Sequence, residues 1–146
     1  MKIPYYKQEK DYTCGPAVMR MLLAAKGIKK SEKELERMLK ISTRIGTWFK
    51  YFPIVAEKYR LDYVVARNSN LKELKKLLKE GYIIMVGYFM EEENVGHYAV
   101  VTKVDSKYVY MLDPYLGPNR KLRIMNFLKN WYDEAEKEKR WLFGIR

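Results

Sequence analysis

The chain has 146 residues, 48% of them hydrophobic and 32% charged, and its 29 Lys and Arg outnumber 18 Asp and Glu for a net charge of +11. That size and balance fit one globular domain, residues 1–146, with a buried core, and they exclude a disordered polymer. No apolar run approaches the ~20 residues of a membrane-spanning helix, so no transmembrane segment is expected. The first residues lack the apolar stretch of an export signal, which points to the cytoplasm. One cysteine and one histidine exclude an internal disulfide. With no HExxH, paired CxxC or phosphate-binding glycine loop, neither a metal nor a cofactor is expected. The basic excess admits an acidic partner, although Lys72, Lys75, Lys76 and Lys79 sit where a helix would simply solvate them.

Ile3 to Tyr6 read as an extended lead-in. A helix is expected from Cys14 to Lys26, with Pro16 in its first turn, apolar Val18, Met21, Leu22 and Ala25 at helical spacing, and Gly27 as the stop. Ser31 and Glu34 form a capping box for a second helix over 31–40. Gly46-Thr47 opens a third helix reaching Tyr59, with a kink or a late start imposed by Pro53. Further on, the pattern predicts a strand over Leu61–Ala66, an amphipathic helix over Asn70–Glu80 and a buried strand over Tyr82–Phe89. Two strands, His97–Val104 and Lys107–Asp113, follow as a hairpin about Asp105-Ser106. A short helix near Ile124–Trp131 and a strand near Trp141–Ile145 complete the chain. Helices first and antiparallel strands later make an α+β fold, N-terminal helices packed on a curved sheet.

The lone Cys14 stands at the mouth of the first helix, behind the polar loop Gln8-Glu-Lys-Asp-Tyr-Thr13. Unpaired amides and the positive end of the helix dipole favour a thiolate there, which is the nucleophilic form. A lone cysteine is more often a small buried hydrophobe, and the helix mouth argues against that here. His97, the only histidine, opens a strand beside Gly96, and Asp113 closes the partner strand at Asp113-Pro114. With Asp105, Ser106 and Lys107 as the connection, Val104 faces Tyr108 and Ala99 faces Asp113. His97 then lies diagonal to Asp113 on a face shared with Val101, Val109 and Met111. A two-residue turn would send the two side chains to opposite faces. Gln8, the only glutamine, is six residues before Cys14, where its amide could join the Cys14 N–H in an oxyanion hole.

Taken together, Gln8, Cys14-Gly-Pro-Ala17, Gly96-His-Tyr-Ala-Val-Val101 and Asp113-Pro114 with Gly117 resemble the bacteriocin-processing cysteine peptidases that trim double-glycine leader peptides. The resemblance extends over essentially the whole chain and implies a papain-like peptidase fold, here as a free-standing member. It implies Cys14 as nucleophile, His97 as base, Asp113 as the orienting acid and Gln8 as the oxyanion donor. The expected activity is that of a thiol protease on a peptide or protein, through a thioester. Two alternatives stay open in the sequence. One is an acyltransferase using the same triad, and the other is a catalytically silent, basic binding module.

Overall fold

Helix α1 (Cys14–Ala25) buries Val18, Met19, Met21, Leu22 and Leu23, and Gly27 at φ 80° ends it. The computed structural model to which it belongs describes residues 2–146. Helix α2 (Glu32–Met38) carries the full capping box, Ser31 accepting from Glu34 N while the Glu34 side chain accepts from Ser31 N. Helix α3 (Tyr51–Lys58) takes the late start that Pro53 requires. Gly46, at φ 86°, instead closes a tight loop on Ser42 through paired backbone bonds of 2.7 and 2.8 Å. Pro53 therefore falls in the first helical turn, where no intrahelical N–H is needed.

Strand β1 (Tyr63–Ala66) is followed by α4 (Leu71–Lys79), capped by Asn70, whose side chain accepts from Glu73 N at 2.8 Å. Then come β2 (Ile83–Met90), β3 (Val95–Val104), β4 (Tyr108–Asp113) and β5 (Gly117–Arg123). Helix α5 (Ile124–Asn130), a two-stranded ribbon of β6 (Tyr132–Asp133) and β7 (Glu138–Lys139), and β8 (Leu142–Ile145) end the chain. The main sheet is antiparallel in the order β1-β8-β2-β3-β4-β5. Alternation along its strands sorts two cores. Ile83, Met85, Tyr98, Val100 and Phe143 pack under α1–α3, whereas Ile84, Val86, Ala99, Val101 and Met111 pack under α4 and α5. Helices thus cover both faces, and β2 is apolar almost throughout because both of its sides are buried. No helix among the described residues is long and apolar enough to cross a membrane.

The β3–β4 hairpin corrects the expected register at its tip. Val104 pairs with Val109 rather than Tyr108, because Asp105 folds back with its N–H on Tyr108 O at 3.0 Å. A bulge between Val101 and Lys103 then absorbs one residue, so Val101 faces Met111 and Val100 faces Leu112. From there toward the strand ends the expected alignment holds, and Ala99, Val101, Val109 and Met111 lie in one core. Strand β5 was not expected. Its segment Gly117-Pro-Asn-Arg-Lys-Leu-Arg123 has no apolar alternation, as suits an edge where proline and charge discourage further pairing.

Candidate active site

Cys14 is the first residue of α1 and is half-buried. No side chain caps this helix. Thr13 stands at the capping position, but its hydroxyl donates to Lys10 O at 2.9 Å and accepts from Lys10 N at 3.0 Å. Pro16 has no N–H to cap, so the amides of Cys14 and Gly15 and the positive helix end are left for a ligand. Gly15 is dictated by packing. A Cβ there would stand 2.3 Å from Thr47 Oγ1 and 2.8 Å from Thr47 Cβ, so the loop before α3 lies directly on the helix mouth.

His97, near the start of β3, is 4% exposed, and Asp113, the last residue of β4, is fully buried. The imidazole Nε2–H donates to Asp113 Oδ1 at 2.8 Å, leaving Nδ1 for the neighbouring Cys14 side chain. Burial opposes charge on the ring. The adjacent Cys14 sulfur and the Asp113 carboxylate outweigh it and push His97 up to about 10. Asp113 is held from several sides. Tyr115 N and Leu116 N each donate to Oδ1 at 2.9 Å, Tyr88 OH donates to Oδ2, and Tyr5 OH donates to the Asp113 main-chain oxygen at 2.6 Å. Burial works to raise its carboxyl, but the His97 and Tyr88 bonds hold it below the usual carboxylate range. Tyr88 is driven well up by burial and by Asp113, so it remains a neutral donor.

Gln8 is also buried and lines the same cleft as Cys14 and His97. Its amide is engaged locally, with Nε2 donating to Lys10 O at 2.8 Å and Asp11 O at 3.2 Å, while Oε1 is buried without a partner among the described residues. Through its backbone, Gln8 N–H donates to Pro114 O at 2.9 Å, joining the loop ahead of Cys14 to the one behind Asp113. Glu32, 1% exposed, anchors the same loop by accepting from Glu9 N with both oxygens at 3.1 and 3.2 Å. The sequence singles out Cys14, His97, Asp113 and Gln8 as candidates but gives no sign of Tyr5, Tyr88 or Glu32, which brace Asp113 and the loop before Cys14. With 13 tyrosines in the chain, nothing local distinguishes those two, and Glu32 reads as ordinary first-turn helix charge.

The cleft has a volume of about 1070 Å³, and Trp48, Tyr98 and Tyr115 contribute its aromatic walls. Among the described residues, no group of three or more His, Cys, Asp and Glu side chains is placed to hold a metal ion. A half-buried thiol at an uncapped helix end, beside an imidazole fixed by a buried carboxylate, is an arrangement able to attack a carbonyl.

Solved structures with this fold fill both chains almost completely. A double-glycine-motif protease domain from an AMS/PCAT transporter, in complex with its leader peptide, superposes with a TM-score of 0.72 at 21% identity, covering 99% of this chain and 93% of that one. A putative C39-like peptidase from Bacillus anthracis gives 0.76 at 15% identity, covering 99% and 94%. The peptidase domain of Streptococcus ComA, a bifunctional ABC transporter of a quorum-sensing pathway, gives 0.79 at 17% identity, covering 99% and 98%. No curated protein matches the chain. The fold is therefore that of the C39 papain-like peptidase domains, as the sequence motifs implied. The model of the Peptidase_C39 like family matches residues 1–138, and the chain belongs to that family of peptidases.

Proposed function

We propose that residues 1–146 act as one cysteine peptidase domain that cleaves an amide bond through a thioester on Cys14. The observation that carries this reading is the buried His97–Asp113 bond of 2.8 Å beside the thiol at the mouth of α1. The Cys14 sulfur and the Asp113 carboxylate favour the protonated ring, so His97 is suited to serve as the proton donor of the cycle. The thiolate adds to the substrate carbonyl. The imidazolium then gives its proton to the leaving amine, and the neutral ring takes one from the water that releases the acid. Asp113 keeps Nε2–H directed away from the sulfur, so that Nδ1 does both transfers.

The Cys14 N–H at the uncapped helix end supports an oxyanion hole. Gln8 would complete it by turning Nε2 from Asp11 O, the longer of its two bonds, toward the developing charge. That a similarly folded domain binds a leader peptide supports a peptide as substrate.

A mixed peptide library digested by the wild type and by Cys14→Ala tests the proposal. The wild type should release new termini and show a trapped acyl mass on Cys14 after acid quenching, and Cys14→Ala should do neither. Equal cleavage by both proteins would refute it.

A further inference from the structure

Against a net charge of +11, the cleft is charged the opposite way. Asp11, Glu93, Asp133, Glu134 and Glu136 line it, and among the described residues Arg44 is its sole Arg or Lys. Outside the cleft, seven of the thirteen carboxylates find a Lys or Arg. Glu9, Glu34, Glu36, Asp62, Glu91, Glu92 and Glu138 each lie within 4.0 Å of a Lys or Arg nitrogen. Among the described residues none of the cleft carboxylates forms such a pair. In a chain with 29 basic side chains, that leaves five cleft carboxylates without a contacting cation, Arg67 acting on Glu136 only from a distance.

The turn between β6 and β7 holds the centre of this block. Asp133 Oδ1 accepts from Glu136 N at 2.7 Å, and Glu136 in turn accepts from Phe49 N, so the turn is fixed to the loop behind Thr47. Asp133 Oδ2 lies 3.7 Å from the position a Cβ would take on Gly96, the residue before His97. Burial, more than the neighbouring carboxylates, holds both Asp133 and Glu136 above the usual carboxylate range. A second kind of group points the same way. Thr47 Oγ1 and Gln8 Oε1, on residues 5% and 8% exposed, line the cleft and have no hydrogen-bond partner. Carboxylates without a Lys or Arg partner, beside an amide oxygen and a hydroxyl that lack partners, describe a site suited to a cationic ligand that carries N–H donors. A metal ion is a poorer occupant, because no three of the acidic groups converge.

Resting on the peptidase reading above, we propose that the β6–β7 turn forms a cation subsite, so that this enzyme takes peptides carrying Lys or Arg close to the scissile bond. Asp133 and Glu136 receive the ammonium or guanidinium, and Glu134 adds long-range attraction. The inference concerns selection among peptides rather than the bond-breaking step, and it reverses the acidic partner that net charge alone suggests.

The test uses matched peptides differing only in Lys, Gln or Glu at each position flanking the cleavage point. Two readouts are followed, kcat/KM for cleavage and protection of Cys14 from iodoacetamide by the same peptides with a non-cleavable bond. Wild type should favour Lys over Glu by roughly tenfold or more in kcat/KM, and the ratio should shrink as salt rises. In Asp133→Asn/Glu134→Gln/Glu136→Gln, which keeps the side-chain shapes and an acceptor for Phe49 N, the ratio should collapse toward one. Equal use of Lys and Glu peptides, or a preference that survives in the variant, would overturn the cation subsite while leaving the peptidase intact. If no peptide is cleaved, the peptidase reading fails, and the protection assay still decides the subsite. Stronger protection by Lys peptides supports it, and equal protection removes it.

Discussion

Asp113 shows how much of the site hangs on one side chain. Its carboxylate accepts from His97, Tyr88 and two backbone amides, and its main-chain oxygen accepts from Tyr5. Asp113→Asn preserves the shape but can offer His97 an N–H where an acceptor is needed. Turnover should fall about 10³- to 10⁴-fold, with a smaller change in KM. The same substitution has a signature in acid. Because the folded carboxyl is held below its unfolded value of about 3.9, the native state binds fewer protons there than the unfolded state. Its stabilisation is thus present above ~4 and lost as pH falls through the lower folded value. Urea midpoints measured down the acid range should drop more steeply for the wild type than for Asp113→Asn, and parallel curves would count against the pairing. Gln8→Ala should lower kcat by ~100-fold with little change in substrate binding, and unchanged turnover would reduce Gln8 to a loop brace. Cys14, His97, Asp113 and Gln8 stand out as candidates in the sequence because three of them are the only residues of their kind and the fourth ends a clear strand. Tyr88 and Tyr5 do not, since their contacts with Asp113 span 25 and 108 residues and leave no local trace.

At the scale of elements, the hairpin carries the main lesson. Apolar alternation correctly put Ala99, Val101, Val109 and Met111 on one side, but it cannot see a bulge. The tip is set by Asp105, whose Oδ1 accepts from Lys107 N at 2.8 Å and Tyr108 N at 2.7 Å, and the bulge at Thr102 restores the strand phase before His97. Helices α1, α2 and α4 were readable from caps and periodicity, whereas β5 and the β6–β7 ribbon were hidden. The former is a polar edge, and the latter pairs only two residues on each side.

The contact between α1 and the loop before α3 leaves no room for one added methyl group. Gly15→Ala would drive a methyl into Thr47, whose Oγ1 and Cβ lie 2.3 and 2.8 Å from that point. Destabilisation of about 1–3 kcal/mol is expected, and Thr47→Gly in the same background should recover part of it. Additive thermal-melt shifts for the two substitutions would show that the contact is not the cause.

Across the whole molecule, the site exists only because two distant parts of the chain meet. Cys14 comes with the N-terminal helices, and His97 and Asp113 come with a sheet whose strands are far along the sequence. Gln8 N–H on Pro114 O at 2.9 Å ties the two parts at the cleft. Folding must therefore bring Cys14 to His97 before the proposed chemistry can follow. The reactivity of the thiol reads this meeting directly. Alkylation of Cys14 by iodoacetamide should be followed against pH in the wild type and in His97→Ala. If the imidazolium faces the sulfur, the wild type should still react readily at about pH 6, where an ordinary thiol is almost wholly protonated. In His97→Ala the profile should move to higher pH, the remaining reactivity at low pH reporting the helix end alone. Superimposable profiles for the two proteins would contradict the account, because Cys14 and His97 would then not be coupled.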